Sequence, residues 1–364
     1  MSLKCGIVGL PNVGKSTLFN SLGEARAEAA NFPFCTIDPN VGKVAVPDER
    51  LEKLKKWVEP ASIVSAMIEF VDIAGLVKGA SEGKGKGNAF LSHIREVDLI
   101  VHVVRCFEDP DVIHVEGSVD PERDIMIIDQ ELILKDLETV MKRVDSLKKL
   151  SKSGDKKVLA ELEVVHQIQA QLEEGVSVRK LWDREEVREA VKDLFLLSAK
   201  PTLYACNVDE TALPGGNLYS EKVKEIASKQ GDDVVLFCAK IEAEIAELED
   251  DEKAMFLDEL GVTGSGLDRL IQAAYQNLGL ITYFTAGPKE VRAWTISEGT
   301  KAPQAAGVIH SDFERGFIRA ETISFQDYET YGSEKAAKDA GKMRQEGKEY
   351  RVCDGDVLLF RFNV

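Results

Sequence analysis

The sequence predicts an α/β fold: a mostly parallel sheet flanked by helices, an inserted helical hairpin, and a smaller C-terminal α+β domain. Three observations predict it. Short apolar runs at 5–8, 66–71, 99–104, 203–206 and 234–238 alternate with helical patterns, as buried parallel strands joined by crossover helices do. Between the third and fourth runs the pattern changes to a coiled-coil seam, and beyond residue 278 strand patterns return. A length of 364 residues also exceeds what one compact core normally holds.

In chain order, Cys5-Gly6-Ile7-Val8 reads as a buried strand, followed by a glycine-containing loop and a helix over 15–22. The runs at 66–71 and 99–104 are the second and third strands. Ile133, Leu137, Val140, Val144 and Leu147 then follow one another in alternating steps of four and three. Ser153-Gly154-Asp155 makes a turn, and Val158, Leu162, Val165, Ile168 and Leu172 mark a returning helix. Together they predict an antiparallel hairpin inserted over 124–195, either a packing appendage or an arm that meets a partner. The strands at 203–206 and 234–238 complete the sheet domain, which spans 1–277. In the final domain, 278–364, strands are expected at 291–296, 317–325 and 356–362, with a helical stretch at 334–344.

The formal charge of −17 argues against a chain that coats nucleic acid, and no DNA-specific motif is present. The segment from residue 278 onward has a net charge of only −1, which makes it the better candidate for any RNA contact. Six widely spaced cysteines without a CxxC pair suggest buried, reduced thiols. No run approaches the ~20 apolar residues of a membrane helix, so a cytoplasmic, monomeric protein is expected.

Gly9-Leu10-Pro11-Asn12-Val13-Gly14-Lys15-Ser16 matches G-x-x-x-x-G-K-[ST] between a strand and a helix. Such a loop turns backbone N–H groups toward phosphate oxygens at a helix N-terminus. Asn12, Val13, Gly14, Lys15, Ser16 and Thr17 are therefore the expected triphosphate contacts. Lys15 acts on the β- and γ-phosphates, and the Ser16 hydroxyl on Mg²⁺. Thr36, before the second strand, is placed to add a second hydroxyl to Mg²⁺. Asp72-Ile73-Ala74-Gly75 ends that strand, offering Asp72 to the metal and the Gly75 N–H to the γ-phosphate. The glycine-rich run that follows, over 81–87, has the composition of a switch loop, or of a plain flexible linker.

GTPases read guanine with N-K-x-D. Here that position carries Asn207-Val208-Asp209-Glu210, with the lysine replaced by valine and the final aspartate lengthened to glutamate. Loss of the guanine-reading carboxylate removes the main source of base discrimination. ATP is expected in preference to GTP, with Asn207 and Val208 lining adenine; the alternative is that Glu210 still reaches guanine through a shifted loop.

These segments resemble the YchF group of Obg-related proteins, the Obg-like ATPases, over essentially the whole chain. The resemblance rests on residues 9–17, 31–36, 72–76 and 207–210, and on Ala305-Ala306-Gly307-Val308-Ile309-His310 with Gly316-Phe317-Ile318-Arg319-Ala320. It implies an Obg-type nucleotide domain, a coiled-coil insertion and a C-terminal ubiquitin-like TGS domain. It also implies ATP hydrolysis in preference to GTP and association with ribosomes, with RNA contact through the TGS and helical domains. Cys238-Ala239 falls where the family's last base-site segment lies, with Cys238 where GTPases often have serine.

Leu76 stands where many GTPases carry a water-orienting glutamine and is unable to orient water, so another group must do so or turnover is very slow. His114, on the loop after the third strand, is preferred over His93 for this role. The Asn12 carbonyl is a candidate for holding K⁺ beside the phosphates. Two functional classes stay open: a regulated ATPase switch, and a nucleotide-gated binding module with negligible catalysis. A small-molecule kinase lacks an acceptor-site base.

Overall fold

The computed structural model describes residues 3–29, 40–73, 86–262 and 264–363. Its strands are β1 Lys4–Val8, β2 Val41–Ala45, β3 Ser62–Val64, β4 Met67–Asp72, β5 Leu99–Cys106, β6 Thr202–Val208, β7 Asp233–Phe237, β8 Leu280–Ala286, β9 Glu290–Ser297, β10 Phe317–Ser324, β11 Arg344–Glu346 and β12 Asp356–Phe362. The chain divides into two compact units, Met1–Gly42 with Glu69–Ala274, and Lys43–Ile68 with Tyr275–Val364.

The first sheet runs β2-β4-β1-β5-β6-β7, and the pairs β1–β4, β1–β5, β5–β6 and β6–β7 are parallel. Every residue of β5 and β6 is buried, because helices cover both faces. The early helices are α1 Lys15–Ala29, α2 Glu49–Val58, α3 Lys86–Glu96, α4 Pro121–Leu150 and α5 Lys156–Glu173. They are followed by α6 Glu185–Val191, α7 Leu218–Gln230 and α8 Ala239–Ala246.

The hairpin is α4 and α5. Asp120 caps α4 by accepting from the Arg123 N–H, and Pro121 stands in the first turn, where its missing N–H costs nothing. The seam read from the sequence is the hairpin core: Ile133, Val140, Val144, Leu147, Val165, Ile168 and Leu172 are buried, with Leu137, Val158 and Leu162 packed against them. Each fully buried aliphatic side chain stabilises by ~1.5–3 kcal/mol. At the root, the buried Asp136 carboxylate accepts from the Leu197 N–H, the Ser198 N–H and the Ser198 hydroxyl, each at 2.7 Å. This clamp fixes where the chain re-enters the sheet at β6.

The second unit has a sheet of order β11-β10-β12-β8-β9-β3 over a core of Tyr283, Ile296, Ala302, Phe317, Leu358 and Phe360. Two sequence expectations are corrected here. The helix expected over 334–344 ends at Asp339, because Gly341 takes a positive φ of 73° that closes the turn. The strand expected to reach Phe325 stops at Ser324, whose side chain accepts from the Asp327 N–H and starts a helix instead. Among the described cysteines all are free thiols. Cys5, Cys106, Cys206 and Cys238 are buried as expected, whereas Cys353 is exposed.

Candidate functional site

The parallel pairing of β1 with β4 aligns Ile7 with Asp72, so the end of β4 lies beside the loop that leaves β1. In that loop Asn12 adopts φ 62°, a left-handed conformation that asparagine tolerates better than most residues. Its side-chain amide donates to the Ile113 carbonyl at 3.1 Å, tying the phosphate loop to the loop after β5. The Leu18 N–H donates to the Gly14 carbonyl at 2.9 Å as α1 begins. The first turn of α1 carries no acidic residue, so its positive end is open to an anion.

Lys15 forms an ion pair with the Asp72 carboxylate. The cation expected on phosphate and the carboxylate expected on metal are thus neighbours, each satisfying the other. Ser16 and Thr17 are exposed at the helix start. A hydroxyl and a carboxylate are hard oxygen donors, the set that suits a small divalent cation shared with phosphates. Val13, by contrast, turns its side chain into the core, so its contribution is confined to the backbone.

The base motif has an unexpected arrangement. Asn207, at the end of β6 and 3% exposed, donates through Nδ2 to the Val13 carbonyl at 3.0 Å. Its Oδ1 accepts from the Ala239 N–H, also at 3.0 Å. One side chain therefore joins the phosphate loop, β6 and the start of α8. Gly14, at φ 96°, leaves room for it: a Cβ there would stand 2.2 Å from Asn207 Nδ2.

Val208 is buried in a cluster with Val104, Cys106, Ile125 and Val223. The Asp209 carboxylate accepts from the Ala212 N–H at 3.1 Å and from the Thr211 hydroxyl. Glu210 alone is exposed, and its carboxylate has no hydrogen bond or ion pair among the described residues. Nearby, burial pushes the Cys238 thiol above its usual range and the Glu210 charge adds to this, keeping it neutral. The Asn207 side chain is thus engaged by two backbone groups, and that of Val208 is enclosed by the core.

His114 is buried on the loop between β5 and α4. Its Nε2 lies 2.8 Å from Asp124 Oδ2, and its Nδ1 accepts from the Glu116 N–H at 3.1 Å. That pattern puts the proton on Nε2 and engages both nitrogens. Arg105, also buried, donates to the carbonyls of Phe107, Asp109 and Val112 and so shapes the loop. A cavity of about 500 Å³ is lined there by Arg105, Glu108, Ile113, His114, Ser118 and Tyr219; neither Lys15 nor Asp72 borders it. Thr36, Gly75, Leu76 and Cys35, with the glycine-rich run as far as Gly85, lie outside the described residues.

With this geometry in hand, comparison with known proteins is decisive. Residues 4–149 match a family profile described as 50S ribosome-binding GTPase. Residues 280–363 match one named YchF-GTPase_C and described as a protein of unknown function. A Bacillus subtilis protein named ribosome-binding ATPase YchF is 57% identical, with all of both chains covered. The chain belongs to the YchF family.

An Escherichia coli O157:H7 relative of the same name is 56% identical over the full length of both chains. Obg-like ATPase 1 of Pongo abelii is 49% identical, covering all of this chain and 93% of its own. The solved structure of the Schizosaccharomyces pombe YchF GTPase superposes with a TM-score of 0.89 at 42% identity, over 99% of this chain and 98% of that one. This YchF-family site therefore combines residues the sequence named (Asn12, Gly14, Lys15, Asp72, Asn207, Ala239) with two it did not, Arg105 and Asp124. The available signal for Arg105 was a charged residue at the end of an otherwise apolar strand.

Proposed function

We propose that the chain is a nucleotide-dependent ATPase that uses Mg²⁺, prefers ATP to GTP and couples its nucleotide state to ribosome association. The observation that carries the base preference is the disassembled guanine reader. Asn207 is latched to Val13 and Ala239, Val208 is buried, and Asp209 caps its own turn. Glu210 is the one free carboxylate of the motif, a methylene longer than the aspartate that reads guanine. A base seated here meets mainly backbone from the Cys238–Ala239 turn, which does not select the guanine edge. The names of the relatives, ribosome-binding ATPase YchF and Obg-like ATPase 1, support the same reading.

Lys15, here paired with Asp72, would hold the triphosphate, Ser16, Thr36 and Asp72 would hold Mg²⁺, and the Gly75 N–H would face the γ-phosphate; the ion would supply charge neutralisation at the phosphates. Asn12 keeps its Oδ1 available for K⁺, since only its amide nitrogen is used by Ile113. His114 positions the attacking water once its ring leaves Asp124, a movement the Asn12–Ile113 tie links to the phosphate loop. The domains are a nucleotide-binding domain over 1–277 carrying the hairpin at 124–195, and a TGS domain over 278–364. A cytoplasmic monomer belongs to the same reading; no described helix is long and apolar enough to cross a membrane.

Initial hydrolysis rates with ATP and GTP, measured with and without ribosomes and in K⁺ or Na⁺, test the reading. Faster ATP turnover that ribosomes alter is expected. Undetectable turnover under all conditions favours a binding module instead, and equal rates in K⁺ and Na⁺ remove the monovalent ion.

A further inference from the structure

We propose that Asp124 is a restraint on His114, a buried carboxylate that keeps the ring from the phosphate site and basal hydrolysis slow. The inference rests on the reading that His114 positions the attacking water, and it names the residue that decides when the ring is available. The two side chains are almost wholly enclosed, 4% and 3% exposed. As it stands, the ring has no nitrogen to offer a water. Its Nε2–H donates to Asp124 Oδ2 at 2.8 Å, and its Nδ1 accepts from the Glu116 N–H at 3.1 Å. In a histidine that a carboxylate orients for catalysis, one nitrogen is held and the other faces the reacting group. Here both are held, and the cavity that the ring borders is shared with Glu108, Ser118 and Tyr219 and with neither Lys15 nor Asp72.

The carboxylate is itself braced. Its Oδ1 accepts from Arg123 Nε at 3.2 Å and from a terminal nitrogen of the same guanidinium at 2.9 Å. Arg123 also donates to the Ser118 hydroxyl at 3.2 Å and to the Ser118 carbonyl at 2.6 Å. One guanidinium thus fastens the loop that carries His114 to the first turn of α4. At the other side of the ring, the Ile113 carbonyl accepts from the Asn12 amide, so His114 stands one residue from a tie to the phosphate loop.

Helix stability does not call for this arrangement. Asp120 already caps α4, and the exposed Glu122 in the same first turn meets the positive end of the helix dipole without being buried. Asp124 is turned inward instead, where a carboxylate is tolerated only with partners, and His114 and Arg123 are those partners. Asparagine has the shape of aspartate but offers one acceptor and one donor. At position 124 it satisfies either the His114 Nε2–H or Arg123, not both, so Asp124→Asn weakens the restraint with little change in volume.

The test is steady-state ATP hydrolysis by the full chain, with kcat and KM separated. Asp124→Asn is expected to raise kcat about tenfold at unchanged KM, the lower end of what a charge-assisted hydrogen bond contributes to the release equilibrium. Adding His114→Ala is expected to abolish the gain. Glu122→Gln, which removes a first-turn charge without touching the ring, is expected to keep the wild-type rate. Arg123→Gln, at a side chain 29% exposed, is expected to raise kcat in the same direction by a smaller factor. Imidazole 15N spectra of the wild-type chain give a readout independent of any variant, and His114 is expected there as the Nε2–H tautomer. A folded Asp124→Asn chain whose kcat is unchanged or lower overturns the proposal, as does a wild-type spectrum with the proton on Nδ1. If Asp124→Asn does not fold, an unchanged or lower kcat in Arg123→Gln overturns it equally. The two levels separate cleanly: unchanged turnover in His114→Ala removes the water-positioning reading and this restraint with it. Turnover lowered by both His114→Ala and Asp124→Asn leaves that reading standing and makes Asp124 an orienting group instead.

Discussion

Replacing Asn207 by Ala tests the latch most sharply. The side chain satisfies the Val13 carbonyl and the Ala239 N–H, both at 3.0 Å in a site 3% exposed, so the substitution orphans one acceptor and one donor. Each unsatisfied buried group costs about 1–3 kcal/mol, and a total near 3 kcal/mol is expected. At about 2–4 °C per kcal/mol for a unit of this size, the melting temperature falls by roughly 6–12 °C. If about half the cost falls on the phosphate-competent loop, nucleotide affinity drops about tenfold. Because the latch touches backbone and not base, ATP and GTP should weaken together. Differential scanning fluorimetry and titration with both nucleotides give the two readouts. A variant that melts within a degree of wild type but shifts the ATP-to-GTP ratio tenfold refutes the reasoning, since Asn207 would then be reading the base. Gly14→Ala, which drives a Cβ into Asn207 Nδ2, should reproduce the same joint loss by another route.

Further outcomes follow from the same geometry. Lys15→Ala should weaken ATP and GTP alike by about 10–100-fold, the worth of a charge-assisted contact, with little change in melting because the partly exposed Asp72 remains solvated; normal affinity for both contradicts the phosphate assignment. Burial pushes the Asp136 carboxyl up to about 6 against the opposing effect of its three hydrogen bonds. A folded pKa above the unfolded one means that this group's stabilisation is complete below pH 4 and lost as pH rises through 6. The wild-type advantage over Asp136→Asn in urea unfolding should therefore shrink by about 3 kcal/mol between pH 4 and pH 7, and a gap that widens instead reverses the sign. His114→Ala should lower turnover at least about tenfold with nucleotide affinity intact; unchanged turnover removes the water-positioning role.

What the sequence made legible was local. A phosphate loop between strand and helix needs only a dozen adjacent residues to declare itself, and the hairpin seam repeats often enough that every residue read into it lies in or against the hairpin core. What it hid was long-range. The pairing of Ser62–Val64 with Glu290–Arg292 joins segments more than two hundred residues apart, and no local pattern marks it. The role of Asn207 was hidden in the same way. Motif position suggested base reading, but its amide is used by Val13, 194 positions away, and by Ala239, 32 positions away. His114 was found by its place after a strand, whereas its anchoring to Asp124 depended on where α4 begins. For both the asparagine and the histidine, the distant partners decide what the side chain does.

The most direct measurement is competition of ATP and GTP for the purified chain in the presence of Mg²⁺, followed by displacement of one labelled nucleotide by the other. The account predicts that ATP displaces GTP at lower concentration than the reverse. GTP binding at least about tenfold tighter, a difference of about 1.4 kcal/mol, contradicts it and returns Glu210 to the role of guanine reader.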